Sequence, residues 1–161
     1  MNFFVDEVRL PDGRAARREF MDHPGAVGVL PFIDRETIVL VRQYRYPVRR
    51  LTHELPAGKL DRGESPRACV RRELREETGY DCRRLRSLLS YWPTAAFSDE
   101  ILHLYVADGL VPADGRPDDD EFLEAERVPY RRALQWVFSG KIRDSKTIIA
   151  LLAYSLIRPA G

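Results

Sequence analysis

The sequence predicts an α/β fold, an α/β/α sandwich around one mixed β-sheet, with an additional β-hairpin at the N-terminus. Three observations support this prediction. Two β-branched, apolar-rich runs lie in the first third of the chain, a helix with clear end signals follows, and two more helical segments occupy the C-terminal third. Strands and helices in this arrangement bury their apolar faces best as layers around a common sheet.

Composition limits the class of protein. The chain has 161 residues, 32% of them charged and 44% hydrophobic, which suits one soluble globular domain. Its net charge of +1 gives no support for non-specific binding to nucleic acid or to a membrane surface. No leader segment is recognisable, and no apolar run approaches the roughly 18 residues of a membrane span. We expect reduced Cys69 and Cys82 and a cytoplasmic location.

The N-terminal segment predicts a hairpin. FFVDEVRL and AARREFMDH flank the turn sequence PDGR within residues 2–23, and Asp-Gly is a common hairpin turn. We therefore divide the chain into residues 1–23, the hairpin, and residues 24–161, the main domain beginning at Pro24-Gly25. A two-stranded hairpin is only marginally stable by itself, so it must pack on another surface.

The main domain begins with two predicted strands, AVGVLPFI and TIVLVRQYR, joined by a short Asp-Arg-Glu turn. The segment YPVRRLTHELPAG then leads into a helix of about 13 residues, for which Ser65 is a good N-cap, Pro66 suits the first position and Gly79 the C-terminus. CRRLRSLLSYW and EILHLYVADGL predict two more strands. They are separated by the connection PTAAFSDE.

Two C-terminal helices complete the prediction. The first is VPYRRALQWVFSG, ended by Gly140, and the second is DSKTIIALLAYSLIR, capped by Asp144 or Ser145. In the second helix an apolar stripe is expected to face the core, and its members are Ile148, Leu151, Leu152 and Leu156.

The central helix carries an unusual group of charges. Glu73 and Glu77 are four residues apart and therefore share a face, with Glu76 beside them. Three carboxylates near a helix C-terminus repel one another and oppose the helix dipole. One interpretation is a solvated face on which Arg72 pairs with Glu76. The other is a divalent-cation site, because an all-oxygen ligand set suits Mg²⁺ or Mn²⁺.

The loop before this helix supplies further residues. Gly58 is followed after five residues by Glu64 and after seven more by Arg-Glu-Leu-Arg-Glu-Glu-Thr-Gly-Tyr, residues 72–80. This segment resembles the Nudix box, Gly-x5-Glu-x7-Arg-Glu-U-x-Glu-Glu-x-Gly-U with U a bulky aliphatic residue. All seven invariant positions match, and the one departure is Tyr80 at the last apolar position. The resemblance implies the Nudix-type sandwich over residues 24–158 and metal-assisted hydrolysis of a diphosphate.

The resemblance also implies roles for the residues of this segment. Mg²⁺, with Mn²⁺ possible, would be held by Glu73, Glu77, Glu76 and the carbonyl of Ala57. Arg72 is expected to orient a carboxylate, and Glu64 to anchor the loop to the helix or assist a metal through water. ELPAG following VRQYR is most similar to the ADP-ribose pyrophosphatase branch. In that branch an N-terminal hairpin helps to form a homodimer, which we therefore expect here.

Substrate contacts are implied less directly. Arg42 and Arg45 could meet phosphate or a terminal ribose, or could form surface ion pairs instead, and Glu54 is a further candidate contact. Residues 97–100, Phe-Ser-Asp-Glu, are similar to the end of the Ser-Pro-Gly-x-Ser/Thr-x-Glu element of that branch, which adds Ser98 and Glu100. Thr-Ala-Ala at residues 94–96 stands where Ser-Pro-Gly is usual, so the resemblance specifies the reaction more closely than the substrate.

The acidic segment 113–126 holds seven acidic residues and allows two interpretations. It is either a solvated loop or, as the resemblance implies, the source of a general base. We choose Glu121 for that role, with Asp119 and Asp120 as alternatives.

The implied activity is hydrolysis of a small-molecule nucleoside diphosphate, ADP-ribose, to AMP and ribose 5-phosphate. The alternatives are other substrates (FAD, a dinucleoside polyphosphate, a sugar nucleotide) or a sensor that binds such a ligand without cleaving it.

Overall fold

The computed structural model describes residues 2–114 and 123–157. Its first half contains six strands: β1 (Phe3–Arg9), β2 (Ala15–Met21), β3 (Ala26–Phe32), β4 (Thr37–Arg45), β5 (Arg50–Glu54) and β6 (Ala57–Lys59). A single 3-10 turn, Tyr46–Val48, separates β4 from β5. The second half contains α1 (Pro66–Thr78), β7 (Tyr80–Tyr91), β8 (Leu102–Pro112), β9 (Glu124–Pro129), α2 (Tyr130–Phe138) and α3 (Ser145–Ile157).

The main sheet is mixed, as predicted. Its strands follow the order β5-β4-β3-β8-β7, with β6 paired to β3 and β9 paired to β4. The β3 and β8 strands run parallel, whereas the other pairings are antiparallel. The predicted N-terminal hairpin is confirmed as a separate two-stranded sheet of β1 and β2.

Side chains of β3 alternate between two apolar layers, because successive residues of a strand point to opposite faces. Val27 and Val29 pack in a cluster with Val70 and Leu74 of α1. Leu30 and Phe32 pack in the other cluster, which contains the buried residues of α2 and α3. Helices therefore cover both faces of the sheet, and the predicted α/β/α sandwich is confirmed.

Three strands and one helix boundary differ from the prediction. The segment before α1 forms β5 and β6, and residues 124–126 of the acidic segment belong to β9 (Glu124–Pro129) rather than to a solvated loop. Val128 and Pro129 consequently end β9, and α2 begins at Tyr130. β6 and β9 are held by pairing with β3 and β4, which are distant from them in sequence, so local patterns did not reveal these two strands. β5 pairs with the neighbouring β4 across the 3-10 turn.

The stripe predicted for α3 is wrong in part. Leu151 is buried, but Leu152 and Leu156 are 36% and 86% exposed. The buried face of α3 instead carries Lys146, Thr147, Ala150, Leu151 and Tyr154. No helix of residues 2–114 and 123–157 is long and apolar enough to cross a bilayer.

Candidate active site

Helix α1 has the boundaries that its sequence predicts. The Ser65 hydroxyl accepts a hydrogen bond from the Ala68 amide at 3.3 Å, which caps the first turn. Gly79 ends the helix in the left-handed region with φ 70°, and its amide donates to the Arg75 carbonyl. These two ends fix the helix register and place the three glutamates in its last two turns.

Arg72 is the centre of an ion network at the base of this helix. Its Nε and Nη2 donate to the two carboxylate oxygens of Glu64 at 3.1 and 3.0 Å. Its Nη1 donates to Glu73 at 2.7 Å and to Glu76 at 3.1 Å. The hydrogen bond from Arg72 lowers the pKa of Glu64 to about 2. One guanidinium therefore joins the preceding loop to two of the helix carboxylates.

Glu73 and Glu77 also contact the backbone of β6. A Cβ added to Gly58 would come within 1.8 Å of Glu73 Oε1, so the Glu73 carboxylate lies directly over this glycine. The amide of Ala57 donates to Glu77 Oε2 at 2.9 Å. Glu73 and Glu77 are only 8% and 6% exposed. The box glycine is required here because any larger residue would displace a carboxylate.

These groups line one cavity of about 440 Å³, which we name the carboxylate cavity. The sequence-predicted residues that line it are Arg45, Ala57, Arg72, Glu73, Glu76, Glu77 and Glu100. His23, Gln43, Lys59, Asp61 and Lys146 also line it, with Gly58 and the apolar Ala26, Val27 and Leu102. Residues from both ends of the chain therefore meet at the helix that carries the motif.

The donor set of this cavity suits a hard divalent cation. Carboxylate and carbonyl oxygens are the ligands that Mg²⁺ and Mn²⁺ prefer, and buried carboxylates need a cationic partner. Arg72 and the Ala57 amide engage Glu73, Glu76 and Glu77, and within residues 2–114 and 123–157 no three acidic, histidine or cysteine side chains are grouped closely enough to hold a metal ion. The chemistry of the donors nevertheless fits the predicted metal.

A second ion network forms the opposite wall. Glu54 is 2% exposed and accepts hydrogen bonds from Arg45 Nε and Nη2 at 2.9 and 2.8 Å, and one from Lys146. Burial raises the pKa of Glu54, but the hydrogen bonds from Arg45 and the charge of Lys146 outweigh it and lower the value to about 2. Lys146 also contacts Asp144 at 3.0 Å. Glu54 thus lies behind Arg45 and Lys146, which face the cavity.

Lys146 was not anticipated from the sequence. Its indication in the sequence was a single lysine near the start of an otherwise apolar helix, and a lysine in that position is usually solvated. Burial lowers its pKa, but the charges of Asp144 and Glu54 more than compensate and raise it, so the ammonium stays charged.

The remaining predicted residues are distributed around this site. Arg42 pairs with Glu124 of β9 at 2.9 Å and is not among the residues that line the cavity. Ser98 is buried, and its hydroxyl accepts a hydrogen bond from the Glu100 amide at 3.2 Å. The candidate base Glu121 and its alternatives Asp119 and Asp120 lie outside the described residues.

Comparison with known proteins agrees with this arrangement. The NUDIX domain model matches residues 22–150. A methanol dehydrogenase activator of Bacillus methanolicus is 45% identical, with 91% of this chain and 80% of the relative covered. An ADP-ribose pyrophosphatase of Bacillus subtilis is 40% identical, with coverages of 94% and 83%.

A solved structure supports the fold. The crystal structure of an ADP compounds hydrolase superposes with a TM-score of 0.84 at 23% identity, covering 96% of this chain and 85% of that one. Members of the family that these matches define generally use divalent metal ions such as Mg²⁺. The chain belongs to the Nudix family and is a pyrophosphohydrolase.

Proposed function

We propose that this protein hydrolyses the diphosphate bond of ADP-ribose, giving AMP and ribose 5-phosphate, in a Mg²⁺-dependent reaction. The observation that carries the proposal is the carboxylate cavity, where the Nudix-box glutamates meet the backbone of β6 and face two cationic side chains. The 40% identity to an ADP-ribose pyrophosphatase supports this substrate. The altered residues 94–96 leave other nucleoside diphosphate derivatives as the competing substrates.

The metal would be held by Glu73, Glu76, Glu77 and the Ala57 carbonyl. When bound, it would neutralise diphosphate oxygens and make a water molecule more acidic. The protein's own side chains would position these metal ligands. Arg72 holds Glu73 and Glu76 through donors on one planar guanidinium, and Glu64 fixes that guanidinium from the other side.

The opposite wall would receive the negatively charged part of the substrate. Arg45 keeps 45% of its side chain exposed while two of its donors are bound to Glu54, so other donors can reach a phosphate oxygen. Lys146 adds a second charge on the same wall. Ser98 and Glu100 are proposed to contact the sugar, and Arg42 remains a predicted contact. Glu121 is the proposed general base, a role that typically contributes about 10²–10⁴-fold.

A substrate panel tests the proposal. Purified protein with Mg²⁺ or Mn²⁺ is incubated with ADP-ribose, FAD, NADH, a diadenosine polyphosphate and UDP-glucose, and the products are separated by chromatography. We expect ADP-ribose to have the highest kcat/KM. A higher value for another compound would contradict the substrate, and binding without turnover of any compound would favour the sensor.

A variant tests the site itself. Glu77→Gln should abolish turnover and leave the fold intact, because the amide is nearly isosteric but is a poor ligand for a hard cation. Glu36→Gln, at an exposed position between β3 and β4, is the matched control and should retain full activity. Full activity in Glu77→Gln would show that the proposed ligand set is wrong.

A second candidate function follows from the relative with 45% identity, which is named for the activation of another enzyme. We propose that this protein also activates a methanol dehydrogenase. The dehydrogenase is assayed with wild-type protein and with Glu77→Gln. Stimulation by the wild type alone would link activation to hydrolysis, and no stimulation by either would exclude this function.

A further inference from the structure

A second cavity lies on the other side of the wall formed by Arg45, Glu54 and Lys146. Its volume is about 710 Å³, larger than that of the carboxylate cavity, and both cavities share Arg45 and Lys146. The β4–β5 connection forms one side, and the segment that joins α2 to α3 forms the other. We name it the cationic cavity, and its lining residues are Arg45, Pro47, Val48, Arg50, Leu51, Thr52, Glu54, Gly140, Lys141, Arg143, Asp144 and Lys146.

The lining has an excess of positive charge. Five cationic and two anionic side chains line the cavity, an excess of three. Both carboxylates are already engaged, since Glu54 binds Arg45 and Lys146, and Asp144 binds Lys146 and Thr147. Arg50, Lys141 and Arg143 make no ion pair with any residue of 2–114 or 123–157, and all three are exposed. Their charges therefore remain available to an incoming anion.

Two of the three cations are held near the cavity by other contacts. Lys141 Nζ lies 3.3 Å from the centroid of the Trp136 ring, and Arg143 Nε donates to the Gly140 carbonyl at 2.9 Å. The Arg143 terminal nitrogens have no hydrogen-bond partner among the described residues and can make a bidentate contact with a phosphate. Pro47 and Val48 of the 3-10 turn and Leu51 of β5 give the cavity an apolar side.

We propose that the cationic cavity is a binding site for an organic phosphate monoester, separate from the carboxylate cavity. The phosphate would contact Arg50, Lys141 and Arg143, and the organic group would pack against Val48 and Leu51. Arginine and lysine donors match phosphate oxygens, and a site of this size accommodates a sugar phosphate or nucleotide monophosphate. A ligand in this cavity would also reach Arg45 and Lys146, which the carboxylate cavity shares.

Removal of the metal changes the net charge of the carboxylate cavity but not that of the cationic cavity. The proposal can therefore be tested without turnover. In EDTA the carboxylate cavity presents five carboxylates, those of Asp61, Glu73, Glu76, Glu77 and Glu100, against the four cations Arg45, Lys59, Arg72 and Lys146, so it has no net attraction for a phosphate. The cationic cavity keeps its excess of three positive charges. Calorimetric titration in EDTA with ribose 5-phosphate, AMP and inorganic phosphate therefore measures the cationic cavity. We expect both esters to bind, and at least one to bind more tightly than inorganic phosphate because of the apolar side.

Single variants identify the site. Arg143→Gln and Arg50→Gln should each weaken binding of the tighter ester by about tenfold or more, and the affinity should fall as ionic strength rises. Arg84→Gln removes one charge from the exposed side of β7, at the edge of the sheet opposite β5, and is the matched control, with unchanged affinity expected. All three side chains are exposed, so the fold should be retained, which circular dichroism verifies.

Three results would overturn the proposal: no binding by wild-type protein at millimolar ester, equal affinity of Arg143→Gln and wild type, or equal weakening in Arg84→Gln. Inorganic phosphate binding as tightly as both esters would refute the organic ligand. Because no metal or substrate turnover is involved, failure of this test and failure of the proposed hydrolysis are distinguishable.

Discussion

Gly58 shows how one residue without a side chain determines the position of a carboxylate. An added Cβ would overlap Glu73 Oε1 at 1.8 Å, so Gly58→Ala must displace Glu73. We expect kcat for ADP-ribose to fall by about 100-fold, since misplacement of a catalytic group by about 1 Å has an effect of this size. Steady-state assays with Mg²⁺ measure the change, and thermal unfolding reports whether the fold is retained.

Gly28→Ala is the control for this substitution. At Gly28 the new Cβ would meet Leu104 Cδ2 at 3.0 Å, the end of a flexible side chain. Lys146 Cδ and Ala57 Cβ would lie at 3.8 and 3.9 Å, an ordinary contact distance that displaces neither. We expect some loss of stability and nearly unchanged kcat. Similar losses of kcat in both variants would mean that Gly58 acts through packing rather than through Glu73.

The buried Glu54 predicts an acid-sensitive contribution to stability. The pKa of Glu54 is about 2 in the folded protein, below its ordinary value of 4.5. A lowered folded-state pKa stabilises the protein above the unfolded-state pKa, and this contribution is lost as pH falls from about 5 toward 2. A difference of this size corresponds to about 3 kcal/mol. Urea unfolding between pH 7 and pH 2.5 measures it.

Glu54→Gln provides the comparison for this pH dependence. The amide cannot ionise, so the variant should be less stable than wild type near pH 7, with a difference that shrinks as pH falls below about 4.5. Lys146 keeps Asp144 as a partner in the variant, which favours retention of the fold. A stability difference independent of pH would show that Glu54 contributes through packing alone.

At the scale of elements, the Arg72–Glu64 pair joins the loop of residues 58–65 to α1. A double-mutant cycle with Glu64→Gln and Arg72→Lys should give a coupling free energy of about 1–3 kcal/mol, because the pair is bidentate and partly buried. Urea unfolding of the four proteins supplies the values. The exposed Arg14–Asp12 pair is the control, for which less than about 1 kcal/mol is expected. Equal coupling in the two cycles would contradict the anchoring role.

The elements that could be predicted from sequence are those with local signals. Helix α1 extends over Pro66–Thr78 as its cap residues indicate, because capping depends on residues within one turn. Strand β9 could not be recognised, since the acidic residues around it have low strand propensity and its stability comes from pairing with β4. In the same way Glu73 and Glu77 were identified by their spacing, whereas Lys146 joins the cavity only through the packing of α3.

At the scale of the whole molecule, the N-terminal hairpin forms a sheet of its own beside the main domain. The β1–β2 sheet is separate from the main sheet and is linked to it through Met21 and His23, which contact residues 97–99. On one face of the hairpin Phe4 stacks on Phe20 with centroids 5.2 Å apart. On the other face Phe3 and Val5 are 83% and 63% exposed. A hairpin of two strands needs such apolar residues covered to be stable.

We propose that a second copy of the chain covers Phe3 and Val5, making the protein a homodimer. Multi-angle light scattering at micromolar concentration should give twice the mass of 18.6 kDa. Phe3→Glu/Val5→Glu should shift the mass to the monomer, because four carboxylates would be brought into one symmetric interface without partners. Phe138→Glu is the control: Phe138 is 80% exposed at the end of α2, and its substitution should leave the dimer intact. A monomeric wild type would refute the dimer, and a dimer that survives Phe3→Glu/Val5→Glu but dissociates in Phe138→Glu would place the interface on the helical side of the molecule instead.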